Sequence, residues 1–313
     1  MGDACAPSRD NLFLASYDTQ HNAVGLNYEA MSFTSALEHG YRVVVTDYIG
    51  MGTPGLHTYA IHTEEGRALI DAARAALSLA GAPANDPVGF FGYSQGGGSA
   101  ASAAERVGTY APEINLKGTY SGAPPAAPLA ITAPIEQTIM SPTAGMNSVA
   151  IAARSPEAKR LMDEKVFNDR GKEYQESLAN SCLLDSVAKW GTVDTRSLTK
   201  TGETFAQVLT HEPELSKYYA MQAVGKKPLN APMMVLASVN DDVIPFGQAR
   251  DMAASYCRQG GTVKFVADQT PPLAKGTGMN HSVAMMTHEG EAIEHLGYRF
   301  QDLTPPTSCS DLG

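Results

Sequence analysis

The chain has 313 residues, 43% of them hydrophobic, with four cysteines and a formal net charge of −10. That length suffices for one large α/β domain with an insertion, or for two domains. The acidic balance argues against nucleic acid and anionic membranes as main partners, and no apolar run is long enough to span a bilayer as a helix.

In chain order, residues 29–39 read as a short helix ending at Gly40. The β-branched run from Tyr41 to Tyr48 predicts a buried parallel strand. Gly50-Met51-Gly52-Thr53-Pro54-Gly55 then matches a dinucleotide-binding pattern, but Pro54-Gly55 reads as a turn and no helix opens there, so that reading is rejected. Thr63 is expected to cap a helix running to about Ala80, with Glu64 and Glu65 complementing its dipole and Leu69, Ala72, Ala73, Ala76 and Leu77 as its apolar stripe. A turn over Gly81–Pro87 leads to a buried strand, the motif Gly92-Tyr93-Ser94-Gln95-Gly96 and a small-residue helix. Ile114–Ser121 is the next strand, which makes the order so far that of a parallel sheet with helices on both faces.

The texture changes at Gly122–Pro128. Residues 125–228 carry few strand-like runs and several helix-like ones, among them Pro156–Phe167 with Ser155 as its N-cap. Strand character resumes at Ala231–Ser238. A helix at Gln248–Cys257, a strand at Thr262–Ala267 and a last helix at His281–Leu296 follow. The expected division is a core of residues 1–124 and 229–313, interrupted by a helical cap at 125–228. The cap's apolar residues, such as Ile131, Ile135, Ile139 and Met140, suit an acyl chain as well as ordinary helix packing.

Strand, Gly-x-Ser-x-Gly and helix together predict a nucleophile elbow, a sharp turn that presents a serine hydroxyl. Gly92 and Gly96 are both expected to sit where a β-carbon has no room. In an α/β-hydrolase fold the acid and the histidine follow the serine in that order. The acid is expected after the late strand, at Val239-Asn240-Asp241-Asp242-Val243-Ile244-Pro245. An acid four residues before proline selects Asp241 and leaves Asp242 as a solvated carboxylate or a cap for the next helix. Among the later histidines His281, His288 and His295, His281 follows a glycine-rich loop and is the expected base. Ser94 would attack, His281 would shuttle the proton, and Asp241 would orient the imidazole. The backbone N–H of Gln95 would bind the oxyanion, with its side chain bonded locally. Asp47 and Tyr48 end a strand where ligands of open α/β sheets gather, although a turn-capping role for Asp47 is the favoured reading.

Cys5, Cys182, Cys257 and Cys309 show neither a C-x-x-C pair nor zinc spacing, so neither metal nor cofactor is expected. Their dispersed, even number fits two disulfides or four separate thiols, with disulfides favoured.

Taken together, Cys5-Ala6-Pro7-Ser8, Val43–Tyr48, Gly92–Gly96, Tyr110–Leu116, Asp241–Pro245 and Asn280-His281 resemble the secretory lipase family of the Candida antarctica lipase A type. The resemblance runs over nearly the whole chain in matching order. It implies an exported lipase or esterase with disulfides and a helical cap over an acyl-binding tunnel, and it supports Ser94, Asp241 and His281 as the triad. By position it implies the pairs Cys5–Cys182 and Cys257–Cys309. Family members carry a signal peptide, further strands and an oxyanion loop before the Cys-Ala-Pro-Ser stretch. Only Met1–Ala4 stand there in this sequence, so the second oxyanion donor is expected either to be absent or to come from Gly2, Asp3 or another loop. The expected partner is an ester or lipid substrate, the expected state a monomer without integral membrane association, and the expected location extracellular. An acyltransferase or peptidase with the same triad, and an N-terminally truncated, inactive lipid-binding scaffold, are the alternatives.

Overall fold

The computed structural model describes residues 16–18, 23–25, 29–51 and 53–312, with backbone alone for the first two segments. Strands β1 (Ser16–Asp18) and β2 (Ala23–Gly25) form an antiparallel pair, which the sequence pattern did not predict. Helices α1 (Ala30–Glu38) and α2 (His62–Leu79) follow, then β3 (Pro87–Tyr93), α3 (Gln95–Tyr110) and β4 (Asn115–Gly122). Between β4 and the next strand lie α4 (Pro128–Ile135), α5 (Pro142–Arg154), α6 (Pro156–Leu161), α7 (Asp169–Ala179), α8 (Leu183–Trp190), α9 (Phe205–His211) and α10 (Pro213–Ala220). The chain then returns through β5 (Met233–Ser238), α11 (Phe246–Arg258), β6 (Val263–Asp268), α12 (Met279–Phe300) and α13 (Cys309–Leu312).

Strands β3, β4, β5 and β6 pair side by side and in parallel, in chain order. Side chains alternate across this sheet as the period of two requires. Phe90 packs with Ile70, Ala103 and Val107 of α2 and α3, whereas Tyr93, Tyr120, Met234 and Leu236 pack with Met285 and Ala292 of α12. Met233, Val235 and Ala237 join Ala249, Met252 and Ala253 of α11. β5 is buried on both faces, hence its unbroken apolar run. The helices between β4 and β5 build their own apolar clusters, one around Phe167, Phe205 and Tyr219 and another around Tyr174, Leu178 and Trp190.

Two local readings need correction. Residues 41–48 form no strand. The segment runs past β3, with Tyr41 against Phe300 at one end and Tyr48 near Gly96 at the other. Yet no backbone ladder joins it to β3, a cavity of about 580 Å³ is lined by both, and Val44 and Val45 are 40% and 43% exposed. A β-branched run becomes a strand only where a neighbour takes up its N–H and C=O groups. Helix α2 starts one residue before Thr63, after an N-cap at Ile61 that has no side-chain bond. The Thr63 hydroxyl instead accepts from Arg106. The buried face of α2 is His62, Glu65, Gly66, Ile70, Ala73 and Leu77, rotated from the expected stripe. At α6 the expected cap is present, since Ser155 accepts from the Ala158 N–H.

Cys257 and Cys309 are disulfide-bonded across 52 positions and hold α13 against α11. Cys182 is also disulfide-bonded, and its expected partner Cys5 lies outside the described residues. Replacing Cys257 and Cys309 together by serine frees that closed loop and is expected to cost about 2–4 kcal/mol in urea unfolding. An unchanged midpoint would show that the tail is held by packing alone.

Candidate active site

Ser94 stands between the end of β3 and the first turn of α3, with φ 54° and ψ −121°. Few non-glycine residues tolerate this region, so the turn stores on the order of 1–3 kcal/mol that the surroundings must hold. The Ser94 N–H donates to the Gly122 carbonyl at 2.9 Å, and the Ser94 carbonyl accepts from Gly98 at 3.1 Å. A β-carbon on Gly92 would lie 2.0 Å from the Gly96 carbonyl oxygen, and one on Gly97 would lie 2.2 Å from that of Gly122. Gly96 differs from the expectation. A β-carbon there would meet only the Tyr48 hydroxyl, at 4.0 Å. The tight positions of this turn are therefore Gly92 and Gly97.

Asp241 sits in the loop after β5. Its Oδ1 accepts from the Val243 and Ile244 N–H groups at 2.8 Å each, and its Oδ2 lies 2.8 Å from His281 Nδ1. The Asp241 side chain is 1% exposed and that of His281 11%. Asp242 is neither a solvated carboxylate nor a cap for α11. Its Oδ2 accepts from the Gly278 N–H at 2.8 Å and so ties the acid loop to the start of α12. Gly278 adopts φ 78° there, a conformation suited to glycine. His281 is the third residue of α12, and its backbone carbonyl accepts from the Tyr93 hydroxyl at 2.6 Å. The Tyr93 ring packs against the imidazole at 5.1 Å between centroids. With Nδ1 engaged by Asp241, Nε2 is the ring nitrogen left for a reacting group.

Ser94, Gln95 and His281 line one cavity of about 310 Å³, with Ile131, Ile135, Met140, Val187 and Val243 among its apolar walls. No hydrogen bond joins Ser94 to His281 in this structure. The other late histidines lie elsewhere: His288 bridges Asp268 and Glu291, and His295 is buried in the core, which pushes its pKa down to about 4. His57 and His62 are likewise lowered to about 4 by burial. The Gly50–Gly55 segment is turn and bend where described, and the next helix opens only at His62. Gly2 and Asp3, the expected second oxyanion donors, lie outside the described residues. Among the described residues, no group of three His, Cys, Asp or Glu could hold a metal, and no helix is long and apolar enough to cross a membrane.

The Gln95 side chain does not bond locally. Its Nε2 donates to Glu65 Oε1 at 2.5 Å, thirty residues back. Glu65 is fully buried and also accepts from the Ala60 N–H at 2.9 Å and the Ser99 hydroxyl at 2.8 Å. Burial pushes its pKa up to about 7, against those donors. The sequence signal was present: Glu65 lies four and eight residues before Leu69 and Ala73, on the apolar side of α2.

This geometry is that of an α/β-hydrolase fold. The chain belongs to the secretory lipase family, whose model matches residues 16–308. It is 29% identical over 245 residues to the "Secreted triacylglycerol lipase LIP4" of Malassezia globosa, covering 75% of this chain and 51% of that protein. It is 28% identical to the Mycobacterium tuberculosis protein named "Probable inactive lipase MT1628", over 77% of this chain and 52% of that one. The chain thus spans about half the length of these relatives. Among solved structures, Candida antarctica lipase A superposes with a TM-score of 0.79 at 19% identity, over 97% of this chain and 65% of that one. The cell wall degrading esterase LipA of Xanthomonas oryzae gives 0.66 at 22% identity, over 82% and 71%.

Two outcomes follow from the site's packing. Gly92→Ala forces backbone against backbone and is expected to cost on the order of 3–5 kcal/mol, while Gly96→Ala stays within about 1 kcal/mol of the parent, both by denaturant unfolding. Equal losses would contradict the assigned contacts. The second outcome concerns pH. Below about 4.5 the Glu65 carboxyl is protonated whether folded or unfolded. Between there and about 7 the folded chain keeps a proton that the unfolded chain releases. Stability from this group therefore falls as pH rises through that window, by on the order of 3 kcal/mol, and is flat above it. The Tm of Glu65→Gln is expected to gain on the parent from pH 5 to pH 7.5. A constant difference would show that Glu65 titrates as an ordinary carboxyl.

Proposed function

We propose that the chain is a secreted serine hydrolase of carboxylic esters acting through Ser94, His281 and Asp241. The observation that carries this reading is the doubly anchored Asp241 carboxylate bonded to His281 Nδ1, on the wall of the apolar cavity that Ser94 enters from its strained turn. In this scheme Ser94 Oγ attacks the ester carbonyl and His281 Nε2 takes its proton. The tetrahedral oxyanion is met by the Gln95 N–H at the positive end of α3, with a second donor from Gly2, Asp3 or another loop. Collapse expels the alcohol, protonated by His281, and leaves an acyl-Ser94 ester. Water, deprotonated by His281, then releases the acid. Asp241 holds the tautomer and stabilises the imidazolium.

Residues 125–228 are read as a cap over a core made of residues 1–124 and 229–313, with cap residues Ile131, Ile135 and Met140 receiving the acyl chain. The relatives named as secreted lipases and the Cys257–Cys309 disulfide support export. A second reading, a binding scaffold without turnover, is favoured by the relative named as inactive.

Hydrolysis of p-nitrophenyl esters of graded acyl length separates the two. The hydrolase reading expects turnover that Ser94→Ala lowers by at least about 10³-fold and Asp241→Asn by a comparable factor. A folded parent chain without turnover, or activity that survives Ser94→Ala, would overturn it.

A further inference from the structure

We propose that Glu65 is a positioning residue for the oxyanion-binding N–H of Gln95, acting through the Gln95 side chain and the first turn of α3. The inference rests on the ester-hydrolase reading and adds to it a residue remote from the substrate.

The Ser94–Gln95 peptide carries the proposed donor, and its direction follows from where the Gln95 Cα is held. The Gln95 side chain is buried, and its amide nitrogen is gripped by Glu65 Oε1 at 2.5 Å. Its amide oxygen is buried without a hydrogen-bond partner, so the grip on Glu65 is the polar tie that fixes this side chain. One turn along, the Ser99 hydroxyl lies 2.8 Å from Glu65 Oε2 and 2.9 Å from the Gln95 carbonyl oxygen. Glu65 thus holds both ends of the turn that follows the strained Ser94 backbone.

The same carboxylate oxygen also holds the segment before α2, which lines the cavity beside Gln95. Glu65 Oε1 accepts from the Ala60 N–H, and Ala60 itself lines the cavity with φ 55°, strained for alanine. Asn147 of α5 donates to the carbonyls of Tyr59 and Ala60 at 2.9 and 3.4 Å. One buried carboxylate therefore links the nucleophile turn, the 57–60 segment and a helix of the proposed cap. A leucine could fill the same space without desolvating a charge. What a carboxylate adds is three directional bonds, to the Gln95 amide, the Ser99 hydroxyl and the Ala60 N–H.

The test measures kcat, KM and Tm for p-nitrophenyl butyrate hydrolysis by the 313-residue chain and by Gln95→Ala, Glu65→Ala, Glu65→Gln and Gln95→Ala/Glu65→Ala. Gln95→Ala keeps the backbone N–H and removes only its tether. It is expected to lower kcat about tenfold or more with KM within about twofold, since misplacing a transition-state donor spares ground-state binding. Glu65→Ala should do the same, and the double variant should be no slower than the slower single one. Glu65→Gln should restore most of kcat, because its oxygen still accepts from Gln95 and Ala60 and its amide donates to Ser99. Should Glu65→Ala fail to fold, Gln95→Ala and Glu65→Gln carry the test. Parent-like kcat in folded Gln95→Ala, losses that multiply in the double variant, or losses that merely follow the folded fraction would overturn the proposal. An inactive parent chain would overturn the hydrolase reading, and this inference with it.

Discussion

The backbone at Ser94 is the constraint around which the rest is arranged. A non-glycine residue at φ 54° and ψ −121° persists only because each neighbouring contact forbids relaxation. The Gly122 carbonyl takes its N–H, α3 begins at the next residue, and Gly92 and Gly97 leave no space in which the turn could widen. The parallel pairing of β3 with β4 brings Gly122 beside Tyr93, so the sheet register itself sets the height of the serine. The same register places β5 one strand further on, and from its end the Asp241 loop reaches His281.

Carboxylates bound by backbone N–H groups fix several of the loops around the sheet. Asp241 takes those of Val243 and Ile244, Asp242 takes that of Gly278, and Glu65 takes that of Ala60. Glu105 takes those of Gly225 and Lys226 at 2.6 and 3.0 Å, together with the Tyr256 hydroxyl, and so pins the chain where it returns from the helices between β4 and β5. A buried charge is costly unless paired, and removing one partner exposes that cost. The arrangement therefore makes loop position depend on a few directional bonds rather than on diffuse packing. That would suit the proposed oxyanion-binding role, in which donor placement governs rate.

Much of this was legible in the sequence. Strand, Gly-x-Ser-x-Gly and helix gave the turn at Ser94, because that pattern answers a single steric problem. The choice of Asp241 over Asp242 followed from its spacing to Pro245 and that of His281 over His288 and His295 from the glycine-rich loop before it, and the structure brings Asp241 and His281 together. Less legible were features that depend on partners distant in sequence. Residues 41–48 have strand composition, but composition does not supply a neighbouring strand. Gly96 belongs to the pattern, yet the close approach falls on Gly97, since the Gly122 carbonyl arrives from β4. Glu65 looked like a complement to the α2 dipole, and only its place on the apolar side hinted that it was buried. Its partners Gln95 and Ser99 lie thirty or more residues away, where periodicity carries no information.

The proposal that Ser94 is a nucleophile activated by His281 and Asp241 underlies the whole functional reading. Its most direct test is covalent labelling of the folded chain with an alkyl fluorophosphonate, followed by intact-mass and peptide analysis. One adduct per chain is expected on the peptide containing Ser94, absent in Ser94→Ala and formed far more slowly in His281→Ala. An unlabelled folded chain, or a label on another residue, would contradict it.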